Sequence, residues 1–198
     1  MNDTKTPSIK VLAISGSLRA ASYNGALVAG LKELAPEEVD VEIYGDVGSL
    51  PHFSEDLEGD NTPAEVIELR RRLHEADAVL ISTPEYNGGM PGALKNLIDW
   101  ASRPYGESSF AGVPVAVTGT SVSPYGAQLA QEQLLPVLRA VGAVTVGEAH
   151  PVGPAPEVFA SDGSITDAGV VDLMKGLLSD LAAAAPAGEA SVAQARAA

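Results

Sequence analysis

The chain has 198 residues, of which 45% are hydrophobic and 19% charged, and it contains no cysteine. This length suits one domain that buries roughly 70% of its extended surface. The formal net charge of −14 argues against nucleic acid or an anionic membrane as a partner, because both are polyanions. The lack of cysteine excludes disulfides, thiolate metal sites and thiol redox chemistry, so a bound organic cofactor would have to carry any electrons.

The two ends of the chain differ in composition from the segment between them. Residues 1–7 are polar and lack the apolar core of a signal peptide, and the chain has no apolar run of about 18 residues that could span a membrane. We therefore predict a cytoplasmic protein with a disordered amino terminus (1–7), one folded domain (8–185) and a flexible Ala-rich tail (186–198).

The first predicted strand, residues 9–14, runs into a loop rich in hydroxyl groups and then into a helix. Unpaired N–H groups at a helix amino terminus carry partial positive charge, and the loop adds Ser17, Arg19, Ser22 and Asn24. These groups together predict a phosphate cradle. The glycine and lysine spacing matches neither a P-loop nor a dinucleotide-binding loop. The alternative is that Ser22 or Asn24 simply caps the helix.

The second predicted strand, residues 39–44, alternates apolar and acidic residues, which is typical of an edge strand with one wet face. A polar loop and a helix from about residue 63 to 75 follow it. His52 and His150 are isolated in predicted loops, without a second histidine at ligand spacing. The sequence therefore predicts no metal site.

A loop containing two prolines and two adjacent glycines, residues 84–91, lies between an apolar strand (78–81) and a helix (92–100). The prolines limit its freedom, while Gly88 and Gly89 let the backbone approach a ligand closely. We predict a backbone surface for a planar ligand. An ordinary strand–helix connection is the alternative.

The rest of the chain completes a series of βα units. A fourth strand (113–118) opens into a third loop rich in glycine and hydroxyl groups (119–126), and a short fifth strand (143–147) precedes a long loop (148–165) and a final helix. The pattern predicts an α/β, doubly wound sandwich with a five-stranded parallel sheet of order 2-1-3-4-5. In that order, the loops after the first, third and fourth strands converge on one crevice.

Several stretches resemble the NAD(P)H-dependent FMN reductase family, a flavodoxin-like group that includes bacterial quinone and chromate reductases. They are Gly16-Ser17-Leu18-Arg19-x-x-Ser22-x-Asn24, Leu50-Pro51-His52-Phe53-Ser54-Glu55-Asp56-Leu57, Thr83-Pro84-Glu85-Tyr86-Asn87 and Pro91-Gly92-Ala93-Leu94-Lys95-Asn96 with the residues up to Trp100. The resemblance covers about residues 9–180 and implies a single-domain flavodoxin-like fold.

The resemblance also implies an FMN site in the three converging loops. The residues implied to hold the phosphate are Ser17, Arg19, Ser22 and Asn24. Those implied to pass along the isoalloxazine are Pro84, Glu85, Tyr86, Asn87 and Gly88, and Ser121 closes the third side.

The implied activity is a ping-pong reaction in which NADPH or NADH reduces the flavin and a small-molecule acceptor such as a quinone then takes two electrons. No side chain is nominated as a catalytic acid or base. A non-enzymatic flavodoxin-type electron carrier is the alternative, and a flavin-free interaction module is a third hypothesis.

The third loop departs from the family pattern. Relatives continue with Gly-Gly-x-Arg-x-Gln, whereas this chain reads Gly126-Ala127-Gln128-Leu129-Ala130-Gln131, with Leu129 in place of the arginine. In relatives that arginine joins polar contacts between subunits. The resemblance implies a homodimer or homotetramer with flavin sites at subunit boundaries, but Leu129 cannot make the polar contacts of that arginine.

Overall fold

Five strands form one sheet in the computed structural model of the chain, which describes residues 8–185. They are β1 (Ile9–Ser15), β2 (Val39–Tyr44), β3 (Ala78–Ser82), β4 (Pro114–Thr120) and β5 (Val144–Val152). All neighbouring strands are parallel and their order is β2-β1-β3-β4-β5, which confirms the predicted fold. The segments predicted to be a disordered amino terminus (1–7) and a flexible tail (186–198) lie outside the described residues.

Helices cover both faces of this sheet. They are α1 (Tyr23–Leu34), α2 (Ala64–Glu75), α3 (Gly92–Ala101), α4 (Gln128–Ala140), α5 (Ala155–Val158) and α6 (Ala168–Ala184). In the part of the chain that the structure describes, no helix is long and apolar enough to cross a membrane. The cytoplasmic location stays a prediction of the sequence.

Alternation along the strands divides the core into two layers. In β1, Leu12 and Ile14 pack with α2, α3 and α4, while Val11 and Ala13 pack with α1 and α6. Successive side chains of a strand point to opposite faces, so a strand covered on both faces is apolar throughout. Every residue of β3 and β4 is buried, whereas the edge strand β2 exposes Asp40 and Glu42.

The last strand is longer than predicted. The predicted strand 143–147 and loop 148–165 are wrong in detail, because β5 continues to Val152 and α5 follows it. The β4–β5 register shifts between Val115 and Val117, and Gly147 adopts a φ of +71°. In the sequence, a glycine after a short apolar run indicates the end of a strand. At a β-bulge, however, a glycine adopts positive φ and the strand continues beyond it.

The segment after β2 is anchored to α3. The Pro51 carbonyl accepts hydrogen bonds from Asn96 Nδ2 at 3.0 Å and from Trp100 Nε1 at 2.7 Å. Asn96 Oδ1 in turn accepts the Phe53 N–H at 2.8 Å. These bonds fix the position of the polar loop that begins at the carboxyl end of the edge strand.

Candidate functional site

The loop after β1 places three of the predicted phosphate ligands at the amino terminus of α1. Ser22 is the N-cap residue, and its Oγ accepts the Gly25 N–H at 3.2 Å. Ser17 Oγ accepts the Arg19 N–H at 3.5 Å, and the exposed Arg19 guanidinium donates to the Ala21 carbonyl at 3.1 Å. The capping interpretation of Ser22 is therefore correct. A hydroxyl that accepts a bond keeps its own proton, so both serines can still donate to an anion.

Backbone N–H groups add to this set of donors. Within residues 8–185, the N–H groups of Tyr23 and Asn24 have no acceptor, as expected at the first turn of a helix. The helix amino terminus carries partial positive charge, and Arg19 adds a full one. A local cationic site therefore exists in a chain whose net charge is −14.

The Asn24 side chain faces the protein interior. Its Nδ2 donates to the Thr120 carbonyl at 2.9 Å, and its Oδ1 accepts the Thr120 N–H at 3.0 Å and the Ser82 hydroxyl at 2.8 Å. Asn24 is 4% exposed. It thus ties the start of α1 to the carboxyl ends of β3 and β4, a contact that the sequence analysis did not foresee.

The loop after β3 ends in a tight hairpin turn. The Tyr86 N–H donates to the Gly89 carbonyl at 2.9 Å, and the Gly89 N–H donates back to Tyr86 at 3.1 Å. Asn87 and Gly88, at the two central positions, have φ values of 53° and 77°. These values are those of a type I′ turn, for which Asn-Gly is a strong sequence signal. The turn presents Asn87 and Gly88 to solvent and leaves Tyr86 half exposed.

Two side chains join this loop to α4. The Glu85 carboxylate accepts the Ala130 N–H at 3.2 Å, in the first turn of a helix whose own N-cap residue, Ala127, provides no side-chain acceptor. Gln133 Oε1 accepts the Met90 N–H at 2.9 Å. A carboxylate at a helix amino terminus is stabilised by the helix dipole. Glu85 therefore holds the second loop against the helix that follows the third loop.

The loop after β4 is fixed by a buried glutamine. Gln131 Nε2 donates to the Gly126 carbonyl at 2.9 Å, and its Oε1 accepts the His150 N–H at 2.8 Å. Ser121 Oγ lies 3.0 Å from Ser123 Oγ and accepts the Ser123 N–H at 3.2 Å. The sequence analysis did not nominate Gln131, although the glutamine of the family pattern falls at this position.

The loops after β1 and β3 and the end of β4 lie close together. A Cβ atom on Gly119, in β4, would clash with the Thr83 carbonyl oxygen, and one on Gly16 would lie 3.4 Å from Pro84 Cδ. Beside them, the buried Thr120 Oγ1 has no hydrogen-bond partner within the described part of the chain. The hydroxyl and N–H donors at the amino terminus of α1 suit a phosphate. Backbone that carries little side-chain bulk suits the face of a flat ring. The residues present therefore fit FMN.

All ten predicted site residues belong to these three loops or to the first turn of α1. The residues that join the loops to each other and to β5, namely Asn24, Glu85 and Gln131, act through long-range hydrogen bonds. Among residues 8–185, no group of His, Cys, Asp or Glu side chains is arranged to hold a metal ion.

Comparison with known proteins gives consistent results. A sequence model of the NADPH-dependent FMN reductase family matches residues 9–156. A quinone reductase of Pseudomonas putida is 39% identical over 160 residues, which are 79% of this chain and 84% of that protein. A 2-hydroxy-1,4-benzoquinone reductase of a Burkholderia species is 42% identical over 127 residues, which are 64% of this chain and 68% of that protein.

A solved structure is similar over almost the whole chain. FerB, a flavoenzyme NAD(P)H:(acceptor) oxidoreductase of Paracoccus denitrificans, matches with a TM-score of 0.79 and 38% sequence identity. The match covers 94% of this chain and 98% of FerB. With its fold and the family match over residues 9–156, this chain belongs to the NADPH-dependent FMN reductase family, whose members are flavin-dependent oxidoreductases.

Proposed function

We propose that the cleft formed by the three loops binds FMN through its phosphate and one face of its ring. Ser17, Ser22, Arg19 and the first N–H groups of α1 hold the phosphate, and Asn24 contributes its backbone N–H. Residues 84–88 line the isoalloxazine ring, and Ser121 closes the third side. The observation that carries this proposal is that side-chain hydrogen bonds join the loops into one preformed unit.

When bound, FMN would supply two-electron redox chemistry, linking hydride donation by NADPH or NADH to reduction of a two-electron acceptor. The chain's own residues orient the ring and leave one face accessible. The turn at Asn87 and Gly88 places little side-chain bulk there, and Tyr86 is 52% exposed beside it. A nicotinamide and a quinone are both flat, so the same open face suits each in turn.

A quinone-like acceptor is supported by the relatives, since the Pseudomonas putida and Burkholderia proteins are named as quinone reductases. Stopped-flow mixing of the FMN-loaded protein with NADH or NADPH tests the first half of the reaction. The flavin absorbance is expected to bleach and then to return when benzoquinone is added. A flavin that stays oxidised with both nucleotides contradicts the proposed activity and favours an electron carrier that is reduced by a protein.

We further propose that the chain forms a homodimer or homotetramer through the face around the third loop. Exposed apolar side chains collect there: Val122 is 69%, Tyr125 74% and Leu129 55% exposed. Leu129 Cδ1 would lie 3.9 Å from a Cβ atom on Gly88, so this face adjoins the second loop. Clustered apolar exposure of this kind marks an interaction surface.

Analytical ultracentrifugation tests the assembly. Leu129→Asp is expected to shift the protein toward the monomer, because it places a charge in an apolar interface. Ile67→Asp is the matched control, since Ile67 is 56% exposed on α2 and far in sequence from the third loop. A wild-type protein that is monomeric at micromolar concentration contradicts the proposal.

A further inference from the structure

A cavity of about 390 Å³ lies beside the loop after β1, toward the edge strand β2. It is lined by that loop, by Gly25 in the first turn of α1 and by residues 43–49 at the end of β2. Within the described part of the chain, no residue of the loops after β3 or β4 lines it. The cavity therefore shares Ser17 and Arg19 with the phosphate site that we propose and extends from it toward the end of β2. Its volume is in the range of small-molecule sites.

Two exposed aliphatic side chains line this cavity. Leu18 is 61% exposed and Ile43 is 38% exposed. Leu18 packs over Gly48, where an added Cβ atom would lie 3.3 Å from Leu18 Cδ2. Exposed aliphatic groups in a cavity suit the face of a flat heteroaromatic base.

An unpaired carboxylate lines the same cavity. Asp46 is exposed, and within residues 8–185 its side chain makes no hydrogen bond or ion pair. Its backbone carbonyl accepts both the N–H of Ser49, at 3.0 Å, and the Ser49 hydroxyl, at 2.7 Å, so the turn that carries it is well held. A carboxylate accepts hydrogen bonds and repels anions. Asp46 is thus available to accept a hydrogen bond from a donor such as a sugar hydroxyl.

Arg19 lines the same cavity from the phosphate loop. Its guanidinium has five N–H donors, and among the described residues it forms a hydrogen bond only with the Ala21 carbonyl. Arg19 belongs also to the proposed FMN phosphate site, and its fork of donors can serve a second phosphate. Asp46 supplies an acceptor for a ribose diol, and Leu18 and Ile43 supply apolar surface for a base. This combination is the chemistry of a nucleotide.

We propose that this cavity binds the adenosine half of the reducing nucleotide, with Asp46 accepting a hydrogen bond from the ribose 2′-hydroxyl. The inference rests on the proposed function, because it assigns a site to the reductant of that reaction. Acidic side chains read the ribose 2′-hydroxyl in other nucleotide-binding folds, and a 2′-phosphate would meet the unpaired carboxylate. The chain is therefore selective for NADH over NADPH.

Calorimetric titration of the FMN-loaded protein with 5′-AMP and with 2′,5′-ADP tests the site without turnover. The wild type is expected to bind 5′-AMP more tightly than 2′,5′-ADP. Asp46→Ala is expected to weaken 5′-AMP binding roughly tenfold and to remove the preference, because a hydrogen bond to a charged group is lost. Asp60→Ala, at an exposed carboxylate that does not line the cavity, is the matched control and is expected to bind as the wild type does.

Steady-state kinetics with both nucleotides provides the second measurement. Asp46→Ala is expected to raise the KM for NADH roughly tenfold with little change in kcat, and to leave the KM for NADPH unchanged or lower. The assignment is overturned if Asp46→Ala changes the KM for NADH and the KM for NADPH equally, or if this variant binds 5′-AMP as tightly as the wild type does. If neither nucleotide reduces the flavin while 5′-AMP still binds through Asp46, the proposed function fails and the nucleoside site stands.

Discussion

The side-chain amide of Asn24 pairs with the backbone of Thr120 through two hydrogen bonds, one donated to the Thr120 carbonyl at 2.9 Å and one accepted from its N–H at 3.0 Å. The two residues are 96 positions apart in the chain. A side-chain amide can satisfy a backbone N–H and C=O together, as a neighbouring strand would. This pair fixes the first loop relative to the third, on either side of β3.

Replacing Asn24 with Ala is expected to lower the free energy of unfolding by about 3 kcal/mol, because three buried polar groups lose their partner. Those groups are the Ser82 hydroxyl and the N–H and C=O of Thr120. FMN affinity is expected to fall as well. Urea unfolding with and without FMN measures both effects. Asn61→Ala, at an exposed position, is the control, and equal stability of the two variants would count against the bridging role.

The Glu85 carboxylate substitutes for a missing N-cap side chain on α4. Glu85→Ala is expected to lower the free energy of unfolding by about 1 kcal/mol, in the range of lost helix caps. Glu85→Gln keeps an acceptor but loses the charge that favours the helix dipole, so its effect is expected to be about half as large. Hydrogen exchange of the Ala130 amide reports the contact directly. Protection that is unchanged in Glu85→Ala excludes the cap, and Glu107→Ala serves as the exposed control.

Arg19 is the one full positive charge among the phosphate ligands that we propose. Arg19→Ala is expected to weaken FMN binding by roughly 1.5–3 kcal/mol, the range of a hydrogen bond to a charged group. The FMN affinity of Arg19→Lys is expected to lie between those of the wild type and Arg19→Ala, because an ammonium keeps the charge but not the fork of donors. Quenching of flavin fluorescence on titration measures the affinity. Arg139→Ala, on α4, controls for net charge, and wild-type affinity in Arg19→Ala removes this residue from the site.

The type I′ turn predicts that replacement by alanine destabilises the protein at Gly88 but not at the nearby Gly92. Gly88 has a φ of +77°, so Gly88→Ala is expected to cost about 1–2 kcal/mol, the strain of an L residue in the left-handed region. At Gly92, the first residue of α3, an added Cβ atom meets nothing within 4 Å. Gly92→Ala is expected to be neutral or to stabilise by up to about 1 kcal/mol. Urea unfolding measures the free energy of unfolding of both variants. Equal changes in the two variants contradict the turn geometry.

The free energy of unfolding is expected to depend on pH through the ionisation of Tyr44. Burial, with a contribution from the nearby Asp46 carboxylate, raises the pKa of Tyr44 from 10.0 to about 12. The folded state thus holds this proton more tightly than the unfolded state. The resulting stability is complete below pH 10.0 and is lost as the pH rises toward about 12. Phenolate absorbance of the folded protein is expected to include a late component from Tyr44, which Tyr44→Phe removes. Asp46→Asn is expected to lower the pH at which Tyr44 titrates. Titration curves that are unchanged in both variants contradict the assignment to Tyr44.

Sequence patterns determined the layout of this protein because their signals are local. The alternation of Val11, Leu12, Ala13 and Ile14 and the helical spacing of Leu27, Val28 and Leu31 each reflect the geometry of one element. Loops with glycine, proline and hydroxyl groups marked where three strands end. The βα order then limited the sheet to few arrangements and brought those loops to one edge.

Tertiary structure decided which side chains face a ligand and which hold the loops together. The partners of Asn24, Glu85 and Gln131 lie 96, 45 and 19 residues away, and no local pattern specifies such pairs. Gly147 was likewise misleading, since only pairing with β4 shows that β5 continues past it. A hydrogen-bond partner is set by where the folded chain places a donor and an acceptor. Residue type alone fixes only the capacity to bond, so the role of Asn24 emerged with the folded sheet.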